Sequence, residues 1–150
     1  MNDKTLLLLR GLPGSGKSTF ANLLAMEASF LVCSLDEYFT DEKGNYKFDF
    51  RSNHLAYKNC QDKVEAAMKS HTSKILVDQI FALLFEIEPY FKLAEKYNFR
   101  TIVCTLENRH KGENIHAIPD EQLVKMAKGF KVELLPDRLR WSSRGKKNPP

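Results

Sequence analysis

The chain has 150 residues, of which 43% are hydrophobic and 28% are charged. These proportions are typical of one globular domain, and they exclude a chain that is wholly disordered, collagenous or coiled coil. The formal net charge is +4, but residues 138–150 carry five Arg or Lys side chains and no acid, so the rest of the chain is nearly neutral, at −1. We therefore predict a domain over residues 1–137 and a basic tail over residues 138–150, which is either a solvated terminus or an arm that touches nucleic acid.

The apolar runs and the cysteines bear on where the protein resides. The longest uncharged apolar run near the start, Leu6 to Leu9, is far too short for a transmembrane span or the core of a signal peptide. Cys33, Cys60 and Cys104 are widely spaced and form no Cys-x-x-Cys pair, which argues against a disulfide framework or a zinc site. We expect a cytoplasmic protein with no membrane partner, whose oligomeric state the sequence leaves open.

Short apolar runs alternate with helical patterns along the chain. Strands are predicted over residues 5–10, 30–34, 74–79 and 101–106, and residues 131–135 are a candidate fifth strand. Helices are predicted over residues 18–28, 54–70, 86–98 and 120–130, with Pro89 in the first turn of the third helix. Strands that alternate with helices predict an α/β fold with a parallel sheet and helices on both of its faces.

Residues 11–19 read GLPGSGKST and fit the phosphate-loop pattern Gly-x-x-x-x-Gly-Lys-Ser, between a predicted strand and a predicted helix. The glycines permit positive φ and close approach, so consecutive backbone N–H groups can surround a phosphate beside the helix N-terminus. Lys17 is expected to reach the β- and γ-phosphates and Ser18 to ligate magnesium. The predicted cofactors are ATP, or another nucleoside triphosphate, and Mg²⁺. The predicted binding residues are Gly11, Pro13, Gly14, Ser15, Gly16, Lys17, Ser18 and Thr19.

Two acids lie at or just after the ends of predicted strands of the same sheet. Asp78 ends the segment KILVD, and ligands bind at the carboxyl edge of parallel sheets, so we expect Asp78 to hold magnesium directly or through water. Asp36 comes two residues after the second strand. It could accept a proton from a hydroxyl that attacks the γ-phosphate. The residues alone equally allow Asp36 or its neighbour Glu37 to cap the following turn.

Several segments together resemble the polynucleotide kinase-like P-loop ATPases, the family of phage polynucleotide kinase and the NEDD-four-binding-protein-two-like proteins. These segments are GLPGSGKST, SLDEYF, ILVD, EPYFKLAEKYNF and ENRHKGENIHAIP, and the resemblance covers about residues 5–135. It implies a compact kinase fold with a five-stranded parallel sheet. It also implies transfer of the γ-phosphoryl group of a nucleoside triphosphate to a hydroxyl, which in the best-known members is the 5′-OH of a nucleic-acid end.

The resemblance also implies roles for individual residues. Asp36 matches the general base of the family, and Lys17 and Ser18 match its phosphate and magnesium contacts. Arg109 is our choice for the lid arginine that neutralises charge on the transferring phosphate. The alternative is that Arg109 is an exposed loop residue paired with a nearby glutamate.

The chain departs from the family pattern mainly on the acceptor side. Gln79 and Ile80 replace the usual Asn-Thr pair after the strand acid, and Ala117 replaces a glycine. Phe39 stands where phage polynucleotide kinase has an arginine, and with its aromatic neighbours it forms either a base-stacking platform or a hydrophobic cluster. The acceptor (RNA, DNA, nucleotide or metabolite) therefore stays open. The alternatives are an ATP-binding regulatory or scaffold module with decayed acceptor chemistry, or a small-metabolite kinase.

Overall fold

The computed structural model describes residues 3–136, so the predicted basic tail and its boundary at residue 137 lie outside the described residues. The strands are β1 (Thr5–Arg10), β2 (Leu31–Ser34), β3 (Lys74–Asp78) and β4 (Arg100–Thr105). The α-helices are α1 (Lys17–Ala28), α2 (Asn53–Lys69), α3 (Leu84–Tyr97) and α4 (Asp120–Gly129). Every one of these elements lies within two residues of its predicted bounds. No helix in the described part of the chain is long and apolar enough to cross a membrane.

The strands form one parallel sheet in the order β2-β3-β1-β4, with β1 paired to both β3 and β4. Side chains alternate between the two faces along a strand, and β1 shows this directly. Leu6 and Leu8 belong to the core formed with α2 and α3, whereas Leu7 and Leu9 belong to the core formed with Ala21 of α1. The predicted arrangement, a parallel sheet covered by helices on both faces, is confirmed.

The predicted fifth strand over residues 131–135 is wrong, because the sheet has four strands among residues 3–136. Its alternating pattern is present, yet Val132 and Leu134 are 64% and 85% exposed. The segment is held at its start, where the Arg10 guanidinium donates to the Lys131 carbonyl at 3.0 Å and lies over the Phe130 ring. A strand needs a partner edge in register, and an alternating pattern alone cannot supply one.

The third helix begins earlier than predicted. Its first turn is capped by Glu86, whose side chain accepts a hydrogen bond from the Leu83 N–H at 2.7 Å, so α3 starts at Leu84. Pro89 is therefore the sixth residue of the helix and not part of its first turn. Proline lacks an N–H, which leaves the carbonyl of Phe85 without its helical donor, and water can take that place because Phe85 is 63% exposed.

Candidate active site

The phosphate loop joins β1 to α1 and has the backbone that the motif predicts. Gly14 and Gly16 have φ values of +85° and +87°, a region that residues with a Cβ atom rarely adopt. A Cβ atom on Gly14 would also lie 2.8 Å from the carbonyl oxygen of Glu113. Gly16 precedes α1 and no side chain caps the first turn of that helix. The N-terminus of α1 is therefore suited to bind an anion.

Lys17, Ser18 and Asp78 face one another at the carboxyl edge of the sheet. The Lys17 ammonium donates to the Leu12 carbonyl at 3.1 Å, and the Ser18 hydroxyl donates to the Asp78 carboxylate at 3.3 Å. Burial raises the pKa of Asp78, against the opposing charge of Lys17. Burial lowers the pKa of Lys17, and Asp78 and Asp36 oppose that shift. The structure thus brings together three predicted charged residues, Lys17, Asp36 and Asp78, beside the phosphate loop.

Asp36 lies in a short 3₁₀ helix, Leu35–Phe39, that directly follows β2. Ser34 and Glu37 cap this helix: the Ser34 hydroxyl accepts from the Asp36 N–H at 3.3 Å, and Glu37 accepts from the Ser34 N–H at 3.2 Å. Glu37 therefore takes the capping role that the sequence left open, and the Asp36 carboxylate makes other contacts. Its Oδ2 lies 3.6 Å from Nε2 of His116, and burial together with the nearby Asp36 charge raises the pKa of the Tyr46 hydroxyl.

The segment between β4 and α4, residues 107–119, is here called the lid segment, and it lies against the phosphate loop. Gly112 approaches the Gly14 carbonyl so closely that a Cβ atom would not fit, and the imidazole of His110 lies next to Gly16. Asn108 holds this turn, since its side chain both donates to and accepts from the Gly112 backbone at 2.8 Å. The lid segment and the phosphate loop are in direct van der Waals contact.

Arg109 is not among the residues brought to the phosphate loop in this structure. Its side chain is 86% exposed and forms an ion pair with Glu107, which is the alternative that the sequence allowed. The pair raises the pKa of Arg109 and lowers that of Glu107. Sequence reasoning missed the residues that the lid segment does bring to the site, His110 and His116. Their signal is the presence of two imidazoles within ENRHKGENIHAIP.

The model of the AAA_33 family (AAA domain) matches residues 6–132. The chain belongs to this family. This AAA_33 domain is also 30% identical over 133 residues to NEDD4-binding protein 2 of Homo sapiens, a match that covers 83% of the chain and 8% of that protein. The chain therefore spans a small part of the length of this relative.

Solved structures with the same fold as this AAA_33 domain include a chain of the Pnkp1/Rnl/Hen1 complex, with a TM-score of 0.59 and 20% identity over 89% of this chain and 42% of that one. They also include the APS kinase CysC of Mycobacterium tuberculosis, with a TM-score of 0.53 and 16% identity over 84% of this chain and 96% of that one. The resemblance to polynucleotide kinase-like proteins is confirmed. The domain has a P-loop kinase fold, which supports nucleotide binding and phosphoryl transfer in general.

Two departures from the family pattern have structural explanations in this AAA_33 domain. Gln79 is buried, and its side-chain amide donates to the Tyr90 hydroxyl at 2.9 Å, so the longer side chain bonds within the core of the sheet. Phe39 is 7% exposed and packs against neighbouring rings, with centroids 5.3 Å from Tyr38 and 5.0 Å from Phe48. Phe39 is thus the buried centre of a hydrophobic cluster, and the rings around it are the accessible ones.

A cavity of about 640 Å³ opens between the phosphate loop and the lid segment. Its apolar lining includes Leu12, Ile118 and Leu123, and its polar lining includes the amide side chains of Asn108 and Asn114. The cavity is open to solvent, and its lining is more polar than apolar. It adjoins the phosphate loop, so we expect it to be the space beside a bound nucleotide.

Proposed function

We propose that this domain transfers the γ-phosphoryl group of ATP, bound with Mg²⁺, to the 5′-hydroxyl of a polynucleotide end. The observation that carries the proposal is the convergence of Lys17, Asp78 and Asp36 beside the phosphate loop. Phosphoryl transfer requires little covalent chemistry from a protein, so positioned charges of this kind are its main requirement. Arg109 remains our proposal for a further charge at the site, once it leaves Glu107.

The residues present fit a magnesium ion bound together with a nucleotide. Ser18 and Asp78 would hold the ion, and the hydroxyl and the carboxylate already lie 3.3 Å apart. Mg²⁺ keeps several waters and is bound through one or two protein oxygens plus substrate phosphates, so one hydroxyl and one carboxylate are a sufficient protein contribution. When bound, the ion neutralises charge on the phosphates.

Asp36 is proposed as the general base. Its carboxylate takes the proton of the acceptor hydroxyl while the hydroxyl oxygen forms a bond to the γ-phosphorus. The bond from that phosphorus to the β,γ-bridging oxygen breaks, and ADP leaves. Lys17 stabilises charge on the phosphates during this step, which involves no covalent enzyme intermediate.

The aromatic residues beside Asp36 support an acceptor that carries a nucleobase. Burial and the nearby Asp36 charge raise the pKa of the Tyr46 hydroxyl, so the cluster begins beside the proposed base. Phe48 and Phe50 are 51% and 80% exposed, and each exposed ring can stack on a base. Stacking of this kind contributes about 1–3 kcal/mol per base. The basic residues of the tail and the similar fold of a chain in the Pnkp1/Rnl/Hen1 complex give further support for a polynucleotide.

The experiment is transfer of label from γ-labelled ATP to four acceptor classes: 5′-OH DNA, 5′-OH RNA, nucleosides and small hydroxy acids. We expect label on oligonucleotide ends. Asp36→Asn should reduce that transfer by about 10²–10⁴-fold and leave ATP binding intact, since a positioned base contributes this much. The matched control for Asp36→Asn is Asp62→Asn on the exposed side of α2, which should change neither transfer nor ATP binding. Lys17→Ala should reduce both transfer and ATP binding.

Three outcomes would contradict the proposal. Transfer only to small hydroxy acids would make the domain a metabolite kinase, and ATP binding without transfer to any acceptor would make it a regulatory or scaffold module. If Asp36→Asn reduced ATP binding as much as transfer, Asp36 would be a metal ligand or a structural residue and not the base.

A further inference from the structure

His116 of the lid segment is adjacent to the carboxylate of Asp36. Its Nε2 lies 3.6 Å from Oδ2 of Asp36, and its ring contacts the Tyr46 ring, with centroids 4.6 Å apart. Tyr46 also lies near the Asp36 carboxylate, whose charge adds to burial in raising the pKa of the Tyr46 hydroxyl. The stretch that follows β2, residues 35–50, and the lid segment therefore meet at one carboxylate. The cavity beside the phosphate loop is lined by other residues of the lid segment, among them Asn108 and Ile118.

The backbone around His116 is held in a specific conformation. The Asn114 side chain accepts from the His116 N–H at 3.1 Å and donates to the Ile118 carbonyl at 2.8 Å. Ala117 has a φ of +53°, a left-handed conformation that is unfavourable for a residue with a Cβ atom. Such a conformation persists only where the surrounding structure imposes it, and it is typical of functional sites. The turn thus presents the imidazole to Asp36.

We propose that His116 is a positioning residue that orients the Asp36 carboxylate, so that the lid segment completes the base. This inference rests on the proposed function, in which Asp36 accepts the acceptor's proton. With a proton on Nε2, His116 donates toward Oδ2, and a shift of about half an ångström converts the present contact into a hydrogen bond. With its ring held against Tyr46, this donor restrains the orientation of the carboxylate toward the acceptor.

The lid segment that carries His116 also contacts the phosphate loop. Gly112 lies against the Gly14 carbonyl, and the His110 imidazole lies next to Gly16. One segment of the chain thus connects the phosphate loop with the proposed base.

The test compares His116→Ala and His116→Gln with wild type, using the magnesium–ATP complex and a 5′-OH oligonucleotide. His116→Ala should lower kcat by about 10–100-fold, the loss of one charge-assisted hydrogen bond, with ATP affinity unchanged within about twofold. His116→Gln should recover most of the rate, because the glutamine Nε2 can donate from nearly the same place as the imidazole Nε2. His54→Ala, an exposed histidine on α2, is the control and should have no effect.

A double-mutant cycle with Asp36→Asn isolates the coupling. If His116 acts through Asp36, adding His116→Ala to Asp36→Asn should reduce the rate by no more than about twofold further. The inference is overturned if the rate losses of His116→Ala and Asp36→Asn multiply in the double variant. It is also overturned if His116→Ala raises the KM for ATP as much as it lowers kcat, or if His116→Gln restores none of the rate. If Asp36→Asn alone leaves transfer unchanged, the proposed function itself fails, and the two failures are therefore distinguishable.

Discussion

Asp78 is a single residue whose proposed function and whose effect on the stability of the fold oppose each other. Its carboxylate is 6% exposed, and burial raises its pKa above the ordinary value, so the charged form is disfavoured in the fold. The proposed magnesium role requires the charged form. A residue of this kind is expected to lower the stability of the nucleotide-free protein in return for ligand binding.

Asp78→Asn should therefore stabilise the nucleotide-free protein, by on the order of 1 kcal/mol at pH 7, while weakening binding of the magnesium–ATP complex. The native pKa lies above the unfolded one, so the ionised carboxylate destabilises the fold at neutral pH. That penalty disappears as the pH falls through the native pKa to below the unfolded value. Urea unfolding at pH 7 and pH 3 checks this. The difference in the free energy of unfolding between Asp78→Asn and wild type should be smaller at pH 3 than at pH 7, and an equal difference at both pH values would contradict the prediction.

The lid segment shows at the scale of an element that a local conformation can be specified by its surroundings. Ala117 has a φ of +53°, and the hydrogen bonds of Asn114 on either side of it hold the turn. Glycine would adopt that φ without strain. The family resemblance implies a glycine at this position, and this chain forms the turn with alanine.

Ala117→Gly should raise the free energy of unfolding by about 0.5 kcal/mol, because relief of left-handed strain exceeds the added entropy of the unfolded chain. The matched control is Ala66→Gly on the exposed side of α2, where the same change should lower it by about 1 kcal/mol. Urea titration of both variants measures the sign of each change in the free energy of unfolding. If both variants were destabilised, the left-handed conformation of Ala117 would contribute little strain to the fold.

At the scale of the whole molecule, charge is divided between a nearly neutral body and a basic tail. Residues 138–150 carry five basic side chains, whereas the remainder has a net charge of −1. Acceptor recognition by the body is proposed to depend on stacking and on the site at Asp36. Long-range attraction to a polynucleotide is our proposal for the tail, and the alternative is a solvated terminus.

Deleting residues 138–150 should flatten the dependence of log affinity on log salt for a single-stranded oligonucleotide by about 1, which corresponds to one or two phosphate contacts at about 0.7 each. ATP hydrolysis and transfer to a mononucleotide should change little. Binding measured at several salt concentrations checks this, and a variant with the five basic residues replaced by Gln controls for chain length. Identical slopes would assign the tail no role in nucleic-acid binding.

The sequence by itself determined the phosphate loop and the order of the elements. The loop consists of nine consecutive residues, 11–19, so its glycines, lysine and serine are close together in the sequence. Strand and helix periodicities also depend only on residues that are close together in the sequence. Lys17 could be named from the phosphate-loop motif, Asp78 because it lies at the end of a predicted strand, and Asp36 because it follows one. All three lie together at the carboxyl edge of the parallel sheet.

Only the tertiary structure decided the features that depend on distant partners. Residues 131–135 have the pattern of a strand but no paired edge, and the Gln79 amide bonds to Tyr90 of α3. Asp36 and His116 are 80 positions apart and meet because the lid segment returns across the sheet edge. The physical reason is common to all of them. Periodicity and backbone preference act between neighbours in the chain, whereas pairing, burial and ion contacts depend on which surfaces the completed fold brings together.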